Sequence, residues 1–172
     1  MLPRDRRLDG EYRDMQRLVE ASSLISFTCQ GVPPTSYRVT LRCGGLAHVG
    51  GQIGPISFHQ FDLDLDEMFP LVPPTIVWRT PIFHPNIKAS HACTGDIWFP
   101  GHSLAELCVG LCELVQYKQF NIYDPLDRDA ALWLVAQLAI DDAAIPVDPT
   151  PVFDADFEVV VESKLDSSAE RA

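Results

Sequence analysis

An α+β fold is predicted: an N-terminal helix, a four-stranded antiparallel meander, a long irregular loop, and then helices packed on the sheet. Three observations carry this prediction. Apolar residues in the first twenty positions recur at helical steps, three stretches between Ile25 and Leu65 alternate with period two, and the helical period returns beyond residue 103. With 172 residues, 47% hydrophobic and 22% charged, the chain is long enough to form one domain around its own core.

The opening helix is read over residues 4–20, where Leu8, Tyr12, Met15 and Val19 follow one another at steps of four, three and four. Arg6, Arg13 and Arg17 fall within about 60° on the opposite side of the same wheel. Residues 1–40 hold six Lys+Arg against five Asp+Glu, whereas the rest holds seven against nineteen, so the basic face stands out from an acidic chain. A solvated face is the ordinary meaning of such a pattern; a docking face is the alternative.

Period-two alternation then appears in Ile25, Phe27 and Cys29, in Tyr37, Val39, Leu41 and Cys43, and in Phe61, Leu63 and Leu65, which face away from Asp62, Asp64 and Asp66. Gly31-Val32-Pro33-Pro34 and the stretch from Gly44-Gly45 through Gly54-Pro55 read as the turns between them. A fourth strand, Thr75–Trp78, follows the proline run 69–74. Residues 79–102 show no period, yet they hold three of the five histidines and a cysteine. Their apolar members, Ile82, Phe83, Ile87, Ile97, Trp98 and Phe99, predict a packed loop with a function. Ser103 followed by Glu106 forms a capping-box pattern ahead of Leu104, Leu107, Cys108, Leu111 and Val115, and another helix is expected from Asp127 through Leu138. The domain is expected to end at residue 145, with 146–172 an acidic, proline-containing tail that includes a strand-like stretch, Phe157–Val161.

Composition narrows the function classes. A formal net charge of -11 disfavours nucleic acid and anionic membrane as partners and favours proteins. No apolar run approaches the ~20 residues of a membrane span and the N-terminus is charged, so a cytoplasmic protein is expected. Five cysteines, an odd number, argue against a disulfide framework. Cys29, Cys43, Cys108 and Cys112 sit in apolar strand or helix patterns and read as core residues. Cys93 alone lies among small and polar neighbours, Ser90 to Asp96, which leave its sulfur accessible as a nucleophile. Attack on a thioester builds negative charge on the carbonyl oxygen, and the side-chain amide of Asn86, shortly before Cys93, is a candidate donor to it.

The run from Phe69 through Ile87 contains Phe69-Pro70-Leu71-Val72-Pro73-Pro74, a strand and then His84-Pro85-Asn86. It resembles, nearly position for position, the centre of the ubiquitin-conjugating enzymes, which carry an aromatic-Pro-x-x-Pro-Pro motif, a strand, and His-Pro-Asn ahead of the catalytic cysteine. Trp98-Phe99-Pro100-Gly101 is similar to that family's Trp-x-Pro segment, and Asp124-Pro125-Leu126 to the Asp-Pro-Leu before its next helix. The combination, over residues 69–127, is specific where each motif singly is not.

The resemblance implies the family's fold over the predicted elements, with 1–145 as the catalytic domain, no cofactor and no metal. It makes Cys93 the residue that accepts a ubiquitin-like protein as a thioester, and Asn86 the oxyanion donor or the group that holds the active-site loop. Asp124 matches the acidic gate residue that orients the incoming lysine and relays its proton, and Asp96 is a second acid for that role. His84 and Pro85 order the loop. Leu71 and Pro100 match loop positions that face ligases, and Arg6, Arg13 and Arg17 match the face that meets the activating enzyme.

Three features depart from the family pattern. Cys93 follows Asn86 by seven positions, about one fewer than usual; the stretch from Cys93 to Trp98 is compact; and the C-terminal helix pair is not evident. The last resembles bacterial members encoded beside ubiquitin-like proteins in antiphage operons. An inactive relative that only binds a ubiquitin-like protein is the alternative function. A zinc site using His84, His91 and Cys93 fits poorly, because the spacing lacks a second ligand pair, and a cysteine hydrolase would need a histidine placed beside Cys93 in space.

Overall fold

In the computed structural model, which describes residues 3–95, 97–141, 145 and 147–155, the chain opens with helix α1 (Pro3–Ala21). Strands β1 (Ile25–Gly31), β2 (Pro34–Leu41), β3 (Gly45–Val49), β4 (Gln52–Ile56), β5 (His59–Asp64) and β6 (Thr75–Trp78) follow. The short pair β7 (Ile87–Lys88) and β8 (His91–Ala92) precedes helices α2 (Leu104–Val115) and α3 (Arg128–Ile140). The main sheet is antiparallel in the order β1-β2-β5-β6, the predicted four-stranded meander.

The stretch between Gly44 and Pro55, expected as a turn, holds the β3–β4 hairpin. Its tip is Gly50-Gly51, with φ +60 and +81, the left-handed pair that a two-residue hairpin turn requires. Gly45 lies so close to the core that an added Cβ would sit 2.8 Å from His59 Cε1 and 2.9 Å from Val115 Cγ1. Glycines needed for the tip and for close approach therefore look, in sequence, like the punctuation of a loop.

One face of the sheet carries Tyr37, Val39, Leu41, Phe61 and Leu63, all at 1% exposure or less. Against it in one cluster lie Leu8, Met15 and Leu18 of α1 and Leu104, Leu107, Cys108 and Leu111 of α2. Cys108 Sγ lies 3.9 Å from Met15 Sδ, and Cys112 Sγ 3.7 Å from Cys43 Sγ with no disulfide between them. Cys29, expected in the core, is only half-buried because β1 is an edge strand. Asp62, on the opposite face of the sheet as expected, is largely covered there by the guanidinium groups of Arg38 (2.8 Å) and Arg79 (2.5 Å). The Arg38 hydrogen bond leads in holding its carboxyl below the ordinary range.

The buried stripe of α1 differs from the expected one. Leu8, Glu11, Met15 and Leu18 are buried, while Tyr12 and Val19 are half-buried at its flanks. Glu11, at 2% exposure, accepts hydrogen bonds from the Leu104 N–H (2.6 Å) and from Arg7 Nε (2.5 Å), and Arg7 also donates to the His102 carbonyl (2.6 Å). Burial pushes the Glu11 carboxyl up, against the lowering effect of the Leu104 N–H and Arg7. The carboxylate thus satisfies an end group of α2, whose predicted capping box forms: Glu106 N–H donates to Ser103 Oγ (3.2 Å), and Ser103 N–H donates to Glu106 Oε2 (2.7 Å).

Within the expected tail, residues 147–155 run back across the domain. The Asp148 carboxylate accepts from the Gly44 N–H (2.5 Å), Val152 is buried in the main core, and Asp154 accepts from the Ser23 N–H (3.0 Å) and hydroxyl (2.8 Å). Phe157–Val161 lies outside the described residues.

Candidate active site

Phe83-His84-Pro85-Asn86 is fastened to three separate elements. The Phe83 N–H donates to the Leu46 carbonyl of β3 (2.7 Å), and the Pro85 carbonyl accepts from the Asp127 N–H at the start of α3 (2.9 Å). The Tyr117 hydroxyl, just past α2, donates to the Phe83 carbonyl. His84 is fully buried, its ring 4.7 Å from that of Tyr117. Its Nδ1 accepts from the Asn86 N–H (3.0 Å), which assigns the ring proton to Nε2, a buried nitrogen with no hydrogen-bond partner among the described residues. Burial lowers its pKa to about 3, so the ring stays neutral and serves as a fixed acceptor for the turn, not as a base at neutral pH.

Tyr117 is brought there by the way α2 ends. The Lys118 N–H bonds the Glu113 carbonyl (3.0 Å) and the Tyr117 N–H bonds the Leu114 carbonyl (2.9 Å), the pairing of a Schellman stop with Tyr117 at the left-handed position, φ 57. Glycine is the usual residue at such a position. A tyrosine costs about 1 kcal/mol there, offset by its buried ring and its bond to Phe83.

Asn86 is buried, and both ends of its amide engage the backbone of one residue. Its Nδ2 donates to the Asn121 carbonyl and its Oδ1 accepts from the Asn121 N–H, each at 2.8 Å. The Asn121 Oδ1 in turn accepts from the N–H groups of Tyr123 (2.9 Å) and Asp124 (3.3 Å). Asn86 thus ties the strand-side loop to the segment that enters α3. Asn121 was not singled out in the sequence, although an Asn three residues ahead of Asp-Pro is a recognisable turn former.

Cys93 is half-buried just past β8, and its N–H donates to the Asn86 carbonyl (2.8 Å), extending the β7–β8 pairing by one position. It lines a cavity of about 90 Å³ together with Asn86, Ile97, Phe120 and Asn121. That volume is well below the ~300 Å³ at which small-molecule pockets begin. Cys93 therefore lines a notch smaller than a small-molecule pocket.

The other predicted residues are distributed around this notch. Asp124 is solvent-exposed on the 121–127 segment and is not among the residues lining the cavity, and Asp96 lies outside the described residues. Leu71 and Pro100 are exposed on loops held together by the Phe69 and Trp98 rings, 5.8 Å apart. Arg7 lies 5.6 Å over the Phe69 ring, so the N-terminal end of α1, with exposed Arg6, joins the same end of the molecule. Arg13 and Arg17 are exposed farther along α1. Among the described residues, no group of three or more His, Cys, Asp or Glu side chains could hold a metal ion, and no helix is long and apolar enough to cross a membrane.

Residues 56–137 match the family model described as ubiquitin-conjugating enzyme. Over 75 residues the chain is 37% identical to the NEDD8-conjugating enzyme UBC12 of Saccharomyces cerevisiae, covering 41% of this chain and 39% of that one. Over 82 residues it is 33% identical to the NEDD8-conjugating enzyme UBE2F of Danio rerio, covering 42% and 44%. The aligned stretch therefore spans less than half the length of both relatives. The E2 domain of a Toxoplasma gondii ubiquitin conjugating enzyme superposes with a TM-score of 0.56 at 20% identity, over 78% of this chain and 88% of that one. The protein has the fold of the ubiquitin-conjugating enzymes, and its segment from Ile56 to Gln137, which holds Asn86 and Cys93, matches that family in sequence.

Proposed function

We propose that the protein is a conjugating enzyme that receives a ubiquitin-like protein as a thioester on Cys93, by transthiolation from an activating enzyme, and passes it to an amine, a lysine in the first instance. The observation that carries this reading is the placing of Cys93 in an open notch beside an asparagine amide clamped in position. The carried protein's C-terminal carbonyl is attacked by the Cys93 sulfur and later by the acceptor amine. In both steps charge develops on an oxygen at the notch, where a preorganised amide N–H stabilises it. An amide nitrogen has two N–H donors and the Asn121 carbonyl takes one, so holding the loop and serving the oxyanion are compatible roles for Asn86.

Asp124 is proposed as the acid that orients the amine and takes up its proton, with Asp96 as the second candidate. Arg6, Arg13 and Arg17 are proposed to meet the activating enzyme, and Leu71 and Pro100 a ligase or substrate protein. NEDD8-type proteins are the first carried proteins to test, since the names of two relatives give that activity. Membership of a bacterial antiphage operon and a cytoplasmic setting are proposed from the sequence resemblance alone, and the neighbouring genes test the operon.

A charging assay tests the proposal. Wild type is expected to form an adduct that thiol reductant removes, Cys93→Ser an adduct that survives reductant, and Cys93→Ala none. No adduct with active partners refutes the enzyme reading and leaves the alternative, a module that binds a ubiquitin-like protein.

A further inference from the structure

The chain has ten arginines and only three lysines, Lys88, Lys118 and Lys164. Arginine supplies the same charge, but its guanidinium does not lose a proton in proteins, so it is no acyl acceptor, whereas a lysine amine is. A protein that holds an activated thioester is the first to meet it, and its own nearby amines are present at high effective concentration. Five arginines and no lysine on α1 therefore leave that helix without an acceptor.

Lys88 is the exception in position. It lies on β7, paired with His91 across the hairpin that leads into Cys93. Cys93 continues that ladder opposite Asn86, two residues before Lys88, which puts the Cα atoms of Lys88 and Cys93 about 8 Å apart from strand geometry. The side chains of Asn86 and Lys88 both reach the 121–127 segment, Asn86 to Asn121 and Lys88 to Asp127, so both lie on the same side of the hairpin. Lys88 is half-exposed, and its Nζ is 3.3 Å from Asp127 Oδ1. By contrast, Lys118 Nζ donates to the Thr150 carbonyl (2.5 Å), on the segment that returns across the domain.

We propose that Lys88 is a self-modification site: it accepts the acyl group carried on Cys93 of the same molecule, and Asp127 restrains the reaction by holding the ammonium aside. This rests on the thioester reading of Cys93. The Lys88 nitrogen attacks the thioester carbonyl carbon, the C–N bond forms, the C–S bond breaks, and the sulfur leaves as a thiolate. The ammonium gives up two protons, one to the thiolate and one to solvent, so no further reactant is consumed. The product is an isopeptide on Lys88 beside a restored Cys93 thiol, in a notch now partly occupied.

The test uses the full chain and NEDD8, loaded enzymatically by its activating enzyme and, separately, chemically from the NEDD8 mercaptoethanesulfonate thioester. After loading is stopped, the reductant-resistant adduct is followed without added amine and normalised to the thioester present at the start. The expected result is first-order conversion, independent of protein concentration, to an adduct that peptide mass spectrometry places on Lys88. Lys88→Arg should lower its rate at least about tenfold. Asp127→Asn should raise it about two- to fivefold, the range for losing an exposed ion pair, while the asparagine still caps α3. Absence of the adduct from loaded protein, its mapping to Lys118 or Lys164, or its persistence at full rate in Lys88→Arg overturns the proposal, and an unchanged rate in Asp127→Asn overturns the restraint. Failure of the enzymatic loading alone counts against the conjugating-enzyme reading, and chemically loaded protein still decides the fate of Lys88.

Discussion

Replacing Asn86 by alanine removes the clamp between the two halves of the notch, and the structure sets the size of the effect. Two hydrogen bonds of 2.8 Å are lost, both to the backbone of Asn121. Each contributes about 1 kcal/mol net, and the orphaned N–H and C=O of Asn121, in a half-buried segment, add a desolvation cost; together about 2–4 kcal/mol is expected. For a domain of this size, a loss of about 3 kcal/mol lowers Tm by roughly 6–12 °C. Asn121→Ala is the matched control, because it keeps the backbone groups that Asn86 holds while removing side-chain bonds that include those to the N–H groups of Tyr123 and Asp124, at a cost of about 1–2 kcal/mol. Urea denaturation of the three proteins gives the stabilities, and single-turnover discharge of a charged adduct to free lysine gives the activities. If Asn86 acts by holding the loop as well as by serving the oxyanion, Asn86→Ala loses discharge and stability together. Asn86→Ala within about 0.5 kcal/mol of wild type would show that the clamp carries little energy and that the argument from its geometry is wrong.

Three further outcomes are expected. The unfolded chain takes up protons on its histidines near pH 6.5, whereas burial holds native His84 near 3 and His59 near 4, so stability falls as pH drops from about 6.5 toward 3. The combined slope reaches at most about 2.7 kcal/mol per pH unit, with Glu11, raised by burial, acting in the opposite direction; urea melts between pH 7 and 4 test it, and a flat profile contradicts it. Glu11→Ala should cost about 2–4 kcal/mol, because the Leu104 N–H and the Arg7 guanidinium lose a common buried partner, while Glu11→Gln keeps an acceptor and costs clearly less; equal losses would show that the charge matters and the hydrogen bond does not. Tyr117→Phe removes only the hydroxyl bond to the Phe83 carbonyl and should cost about 1–2 kcal/mol by thermal denaturation, with no loss meaning that the bond does not hold the His84 turn.

The amino-acid sequence by itself determined the elements whose stability is local or whose pattern is long. The 3.6-residue period of α1, the alternation in β1, β2 and β5, and the Ser103–Glu106 capping box each state their structure within a few residues, because a buried face or a cap imposes a spacing. The His84-Pro85-Asn86 turn was legible for the same reason, as a short motif whose proline and polar side chains restrict the backbone.

What only the tertiary structure decided involves partners distant in sequence. Glu11 reads as a solvent residue until the Leu104 N–H, 93 positions away, is seen against it. The β3–β4 hairpin was hidden because its glycines serve a left-handed tip and a close approach to His59, while sequence reads glycine as a break. Asn121 gained its importance through its main chain, which Asn86 grips from 35 positions away. A backbone N–H or carbonyl is the same in every non-proline residue, so sequence carries no record of which one a buried side chain will choose.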